Sequence, residues 1–206
     1  MRARRTWSHY AGSTCASSGY ELVAVLGPSG SGKTTFLHLG AGLDQPSAGE
    51  VRVAGRSLSR LDESALADYR ARELALVFQT GNLWPALTAR ENVVVSLRLA
   101  GRDGSAADEA LAHFGLGARG RQRAGALSGG EQQRVAIAAA AARLAPLVLA
   151  DEPTAELDEW NEAIVLEEFA RLRADFGATV VVVTHSPAVA ASADRVVEIR
   201  DGRVAA

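Results

Sequence analysis

Cysteine is nearly absent. One residue, Cys15, in a chain of 206 excludes a disulfide framework and a thiolate metal cluster. Aromatic residues are also scarce, at 5%, yet 48% of the chain is hydrophobic. That is enough for one folded domain with a sizeable core, and it argues against disorder. Charge of one sign is missing too. A formal net charge of -2 gives no global electrostatic reason to expect a nucleic-acid partner, and none is expected. Long apolar runs do not occur. The richest stretch, Val135 to Ala150, is broken by Arg143 and Pro146, so no membrane-spanning helix is expected. Arg2, Arg4 and Arg5 make the start basic, but no apolar segment of signal-peptide type follows them. Internal repeats and long low-complexity linkers are lacking as well. A cytoplasmic location fits these absences.

Against this background one stretch stands out: Gly27, Pro28, Ser29, Gly30, Ser31, Gly32, Lys33, Thr34 and Thr35. An apolar run, Leu22 to Leu26, precedes it and reads as a buried strand; Phe36 to Leu39 can begin a helix. Strand, glycine-rich loop, helix is the setting a phosphate-binding P-loop requires. Glycines let backbone N–H groups approach phosphate oxygens unobstructed. The helix adds its positive N-terminal end. Lys33 can reach the β- and γ-phosphates, and the Thr34 hydroxyl can ligate Mg²⁺.

Turn formers from Gly42 to Gly49 end the first helix. Glu50 to Ala54 alternates as a half-exposed strand does, and Leu61 to Arg72 reads as a short polar helix. Leu74 to Phe78 is a second buried strand ending at Gln79. The segment 80–145 is mainly helical. Thr88 and Glu91 form a capping box for a helix running to Ala100, and Ala106 to Phe114 makes another. Leu147 to Ala150 is a third buried strand, which delivers Asp151 and Glu152 at its C-terminal end. Ligands of open parallel sheets bind at that edge. Asp158 to Asp175 reads as an amphipathic helix with Ile164, Leu166, Phe169 and Leu172 inward. Ala178 to Thr184 is a fourth buried strand, ending at His185. Arg195 to Ile199 is the last strand, and Asp201-Gly202 is a hairpin turn. Residues 1–20 are expected to hold little regular structure.

Two acids after an apolar strand, in a chain with a P-loop, form a Walker B arrangement. Asp151 would hold Mg²⁺; Glu152 would orient and polarise the water that attacks the γ-phosphate. Leu127 to Arg134 reads LSGGEQQR. Locally, Ser128 is a helix N-cap, Gly129-Gly130 a tight turn, and Glu131 the far side of a capping box. A helix start with small residues also exposes N–H donors that can grip an anion.

The P-loop, LSGGEQQR and the segment Leu149 to Thr154 together closely resemble the nucleotide-binding subunits of ABC transporters, over roughly residues 20 to 204. The resemblance implies a single α/β domain spanning 1–206, with a P-loop NTPase (RecA-like) core and a parallel sheet. The nucleotide-binding core would be 21–79 and 146–206. A helical signature subdomain, 80–145, would be inserted in it, and 1–20 would be an ill-defined N-terminal segment. It implies ATP and Mg²⁺ as ligands, ATP hydrolysis, and a head-to-tail dimer. Ser128, Gly129 and Gly130 of one subunit would close on the γ-phosphate held by the other subunit's P-loop. Gln79 matches the Q-loop glutamine, which senses Mg²⁺ and the attacking water. Asp158 matches the D-loop aspartate, communicating across the dimer, and His185 the switch histidine on the γ-phosphate.

Gly42 to Asp44, Val77 to Gln79 and Asn82 to Val93 look like the lipoprotein-releasing, macrolide-exporting and FtsE-like group. That likeness implies a separate integral-membrane permease, which would hold the ATPase, as a homodimer or heterodimer, at the inner face of the membrane. A non-transport mechanical or regulatory ATPase of the FtsE-like kind is the alternative. Three features depart from the family. Upstream of the P-loop the chain is too short for the family's further strand and adenine-stacking aromatic; Trp7 or Tyr10 would substitute, neither in matching context, so a small, truncated antiparallel β-subdomain is expected. Ala139 stands where an arginine is common, and Ala155 where a glycine is.

Overall fold

The structure, a computed structural model, describes residues 20–205. Trp7 and Tyr10, like the rest of the N-terminal segment, lie outside them. The chain runs β1 (Leu22–Leu26), α1 (Lys33–Gly40), β2 (Arg52–Val53), β3 (Arg56–Ser57), α2 (Glu63–Arg72) and β4 (Leu74–Val77). Three helices follow: α3 (Ala89–Leu99), α4 (Ala107–His113) and α5 (Gly129–Ala142). Then come β5 (Leu147–Asp151), α6 (Glu159–Phe176), β6 (Thr179–Thr184), α7 (Pro187–Ser192), β7 (Arg195–Arg200) and β8 (Arg203–Ala205).

Six strands form the main sheet in the order β4-β5-β6-β1-β7-β8. All neighbours are parallel except β8, which returns antiparallel beside β7. The sheet is therefore mixed, mostly parallel. The hairpin at Asp201-Gly202 has positive φ at both turn residues, as the tightest turns matching strand twist require. Val23 and Val25 face one hydrophobic cluster with α1 and α2; Leu22 and Ala24 face the other, with α3 to α6. Burial on both faces is why these strands read as unbroken apolar runs.

On the second face α5 is all alanine from Ala138 to Ala142, and these residues are buried. Small side chains let α3, α4 and α6 approach it closely. Ala139 lies inside this packing, 8% exposed. The two capping boxes form as read. Thr88 Oγ1 accepts from Glu91 N, and Ser128 Oγ from Glu131 N. Each glutamate reaches back to the cap's backbone N–H, which holds its carboxyl below the usual range.

Two expectations need correcting. The strand over Glu50 to Ala54 shrinks to Arg52–Val53, because Ala54 and Gly55, both at positive φ, turn the chain at once into β3. The inner face of α6 is Val165, Glu168, Phe169 and Leu172; Ile164 and Leu166 are only half-buried. A glutamate occupies a core position there, beside Arg171 at 3.5 Å, and burial pushes its carboxyl up.

Arg143, the C-cap of α5, closes the end of a different helix. Its Nη2 donates to the carbonyls of Arg70 and Ala71, 2.7 Å each, in the last turn of α2. Those carbonyls have no partner within their own helix. Arg143→Ala is expected to cost about 2–3 kcal/mol, since it removes two charge-assisted bonds and leaves orphaned acceptors. Urea unfolding of the nucleotide-free protein measures it. An unchanged midpoint would mean that water replaces the guanidinium without loss.

Candidate functional site

The C-terminal ends of β1, β4, β5 and β6 open at one edge of the sheet, since these strands are parallel and adjacent in order. They deliver the P-loop, Gln79, Asp151-Glu152 and His185 respectively.

The P-loop has little freedom where it leaves β1. A Cβ on Gly27 would fall on the Ile199 carbonyl oxygen and onto Ser31 Oγ, so only glycine fits. Gly30 and Gly32 take positive φ (80° and 105°) and turn the loop into α1. Pro28, Ser29 and Gly30 are exposed, whereas Ser31 and Lys33 are buried. Ser31 O accepts from Gly202 N at 2.8 Å, which pins the loop to the β7–β8 turn. Lys33 Nζ donates to the carbonyls of Gly27 (2.8 Å) and Pro28 (3.2 Å). The ammonium is thus held inside the loop, satisfied by the loop's own backbone. Gly32 caps α1 with no side-chain bond, and the first turn holds no acid. This helix start repels no anion and presents donors to one.

Asp151 ends β5 half-buried. Burial raises its carboxyl above the usual range; a hydrogen bond with the Thr34 hydroxyl opposes that, and Glu152 beside it adds to the rise. Its Oδ1 is buried without a hydrogen-bond partner. A desolvated carboxylate oxygen with a hydroxyl at its side fits one flank of a Mg²⁺ site. No cluster of three acidic, histidine or cysteine ligands occurs among the described residues. Mg²⁺ takes one or two protein ligands and completes its shell with phosphates and water.

Glu152 sits at φ 46°, a left-handed conformation that costs a non-glycine residue about 1–3 kcal/mol. Its neighbours over-determine it: Glu152 N donates to Val183 O at 2.8 Å, and Glu152 O accepts from Ala155 N at 3.2 Å. The bend turns its carboxylate to β6. Oε2 lies 2.9 Å from His185 Nδ1 and accepts the His185 backbone N–H at 3.3 Å. The histidine side chain is 68% exposed and the glutamate's 19%.

Gln79 is exposed at the end of β4. Its amide donates to Glu156 at 3.2 Å, not to Asp151 or Thr34. Two amides to which the sequence assigned no site role hold this corner. Asn82 bonds both N–H and C=O of Phe78, and buried Gln133 from α5 donates to Phe78 O at 3.0 Å and accepts from Asn82 at 3.1 Å. A lone amide on an otherwise apolar helix face is the only local sign of this link.

Ser128, Gly129 and Gly130 share no hydrogen bond with the P-loop among the described residues. Gly130 lies against α6 instead, and Gly129 near Leu157 just before it. A Cβ on Gly130 would collide with the side-chain amide of Asn161. Asn161 is held in turn by Asp158 Oδ1, which accepts its backbone N–H at 2.8 Å and its side-chain amide at 2.9 Å. Asp158 is therefore the N-cap of α6, adjoining the start of α5.

Comparison with known proteins gives this arrangement its family. The ABC transporter family model matches residues 14–155. The lipoprotein-releasing system ATP-binding protein LolD of Chromohalobacter salexigens is 46% identical over 188 residues, 89% of this chain and 79% of that protein. The macrolide export ATP-binding/permease protein MacB of Rhodopseudomonas palustris is 45% identical over 190 residues, which is 90% of this chain but 29% of that one. A dimeric ATP-binding cassette solved in a post-hydrolysis state with ADP and Pi superposes with a TM-score of 0.82. It is 38% identical, over 91% of this chain and 84% of that one. The chain belongs to the ABC transporter family, as an ATP-binding and ATP-hydrolysing member with ATP and Mg²⁺ as its ligands.

Proposed function

We propose that this chain energises a separate membrane permease of the export or lipoprotein-release type, at the inner face of the membrane. Two copies would share two ATP sites head to tail. The observation that carries this is the split layout: P-loop, Asp151, Glu152 and His185 meet at one sheet edge, while Ser128 to Gly130 are presented elsewhere, on the start of α5. A second copy supplies what each site lacks. The relatives named above support the permease and the direction. Among the described residues no helix is long and apolar enough to cross a membrane.

In this reading the P-loop amides and Lys33 bind the phosphates. Thr34 and Asp151 would hold Mg²⁺, joined by Gln79 once its amide leaves Glu156, and the ion would supply positive charge against the phosphate oxygens. Glu152 orients the attacking water and polarises it. The bond from that water to the γ-phosphorus forms as the bond to the diphosphate oxygen breaks. His185 leaves Glu152 for the γ-phosphate, and Asp158 relays closure between subunits. Triphosphate bridges both halves; diphosphate does not, so hydrolysis opens the dimer.

Light scattering with the slow variant Glu152→Gln tests the assembly. Saturating MgATP is expected to double the mass of the 21.5 kDa chain, and ADP is expected not to. A monomer under MgATP would sink the shared-site reading for this chain alone.

A further inference from the structure

The loops that carry Glu152 and His185 are tied together twice. The first tie is the Glu152–His185 contact itself, 2.9 Å. The second lies behind it, on α6. One carboxylate oxygen of Glu162, Oε1, accepts the Thr154 hydroxyl at 2.9 Å and the Ser186 hydroxyl at 2.7 Å. Thr154 is two positions after Glu152, and Ser186 directly follows His185. Thr154 is buried; Glu162 and Ser186 are half-buried. The Ser186 oxygen also accepts from Val189 N, so its own proton is free to point at Glu162. Glu162 N donates to Asp158 O at 2.8 Å, within the first turn of α6. A single side chain thus joins the loop of Glu152, the loop of His185 and the helix that Asp158 caps.

We propose that Glu162 is a positioning residue for hydrolysis, holding the Glu152 and His185 loops at fixed spacing through Thr154 and Ser186. This rests on the roles given to Glu152 and His185 above. The first tie must open when His185 turns to phosphate. The second involves neither reacting group and persists through that change. A carboxylate accepts and never donates at neutral pH, so it fixes the direction of both hydroxyl protons. Geometry of this kind matters because a misplacement of about 1 Å can cost about 100-fold in rate. The plain alternative is an acid placed in a helix's first turn for its dipole, which would affect melting and not turnover.

Steady-state hydrolysis across MgATP concentrations, with a melting curve for each protein, decides between them. Glu162→Ala is expected to lower kcat by about tenfold or more, as loss of a supporting hydrogen-bond partner does, with KM changed less than about twofold. Glu162→Gln keeps an oxygen that accepts both hydroxyls and is expected to stay within about threefold of wild type. The double variant Glu162→Ala/Ser186→Ala is expected to be no slower than Glu162→Ala alone, since both remove one device. Wild-type kcat in Glu162→Ala beside a stalled Glu152→Gln would overturn the proposal and leave the parent reading standing. So would an equal fall in Glu162→Gln. Normal turnover by Glu152→Gln would fail the parent reading itself. Should Glu162→Ala melt below the assay temperature, Ser186→Ala and Thr154→Ala carry the test. Each deletes one hydroxyl, and wild-type kcat in both would overturn it.

Discussion

Glu152→Gln is expected to lower kcat for ATP hydrolysis by about 10²- to 10⁴-fold while leaving MgATP affinity within a few fold, the range that a single positioned acid–base group supplies. The substitution keeps the shape of the side chain and removes its negative charge. Nothing in the loop's scaffolding depends on that charge. The backbone of Glu152 is held by Val183 O and Ala155 N, and the strained φ is a property of the main chain. The glutamine carbonyl can still accept the His185 backbone N–H. What is lost is the ability to polarise a water. A fall in kcat with KM unchanged means an interaction made in the transition state and not in the ground state. Phosphate release by purified protein gives kcat, and equilibrium titration gives affinity. A variant that keeps more than a third of wild-type turnover would move the catalytic role to another group.

Lys33→Ala is expected to weaken MgATP binding by about 100-fold, close to 3 kcal/mol for a lost ammonium–phosphate interaction. The Lys33 ammonium rests on Gly27 O and Pro28 O. Phosphate competes for a charge that the loop already holds in place, so little ordering cost remains at binding. Removing Lys33 also leaves Gly27 O without this donor, while Pro28 O keeps the Ser31 N–H at 3.1 Å. The same variant should therefore melt lower without nucleotide. It should also lose most of the stabilisation that MgATP gives wild type, since that gain follows from binding to the native state. Thermal melts with and without MgATP read both effects. Equal nucleotide-induced shifts in the two proteins would show that the backbone amides alone bind the phosphates.

The parts of this fold legible from the residues are those set by local chemistry. Both capping boxes and the Asp201-Gly202 hairpin depend on residues within four positions of one another, and the P-loop carries its glycines and Lys33 in one short stretch. The buried strands were legible because both sheet faces are covered, so alternation is absent by necessity. Strand order was not, because no residue in β1 records that its neighbours are β6 and β7. The inner face of α6 was misplaced for a related reason. Hydrophobic periodicity has no symbol for Glu168, a charged residue buried beside Arg171. Gln79 was legible as a position and not as a contact; its partner Glu156 is distant in the chain and its type is common. Glu162 carried no signal at all. An exposed-looking acid in the first turn of a helix is ordinary, and only the folded chain brings Thr154 and Ser186 to it.

The cradle around Lys33 has a chemical corollary. Lys33 is the only lysine in the chain; every other basic side chain among the 22 is arginine. Apart from the terminal amine, the chain offers amine-directed reagents a single primary amine. That nitrogen lies in a residue 8% exposed, hydrogen-bonded to its own loop. Amine labelling within the chain is thereby a footprint of nucleotide occupancy, with the terminal amine as its internal reference. By the same token, no lysine-directed modification can tag this chain internally without disabling its ATP site.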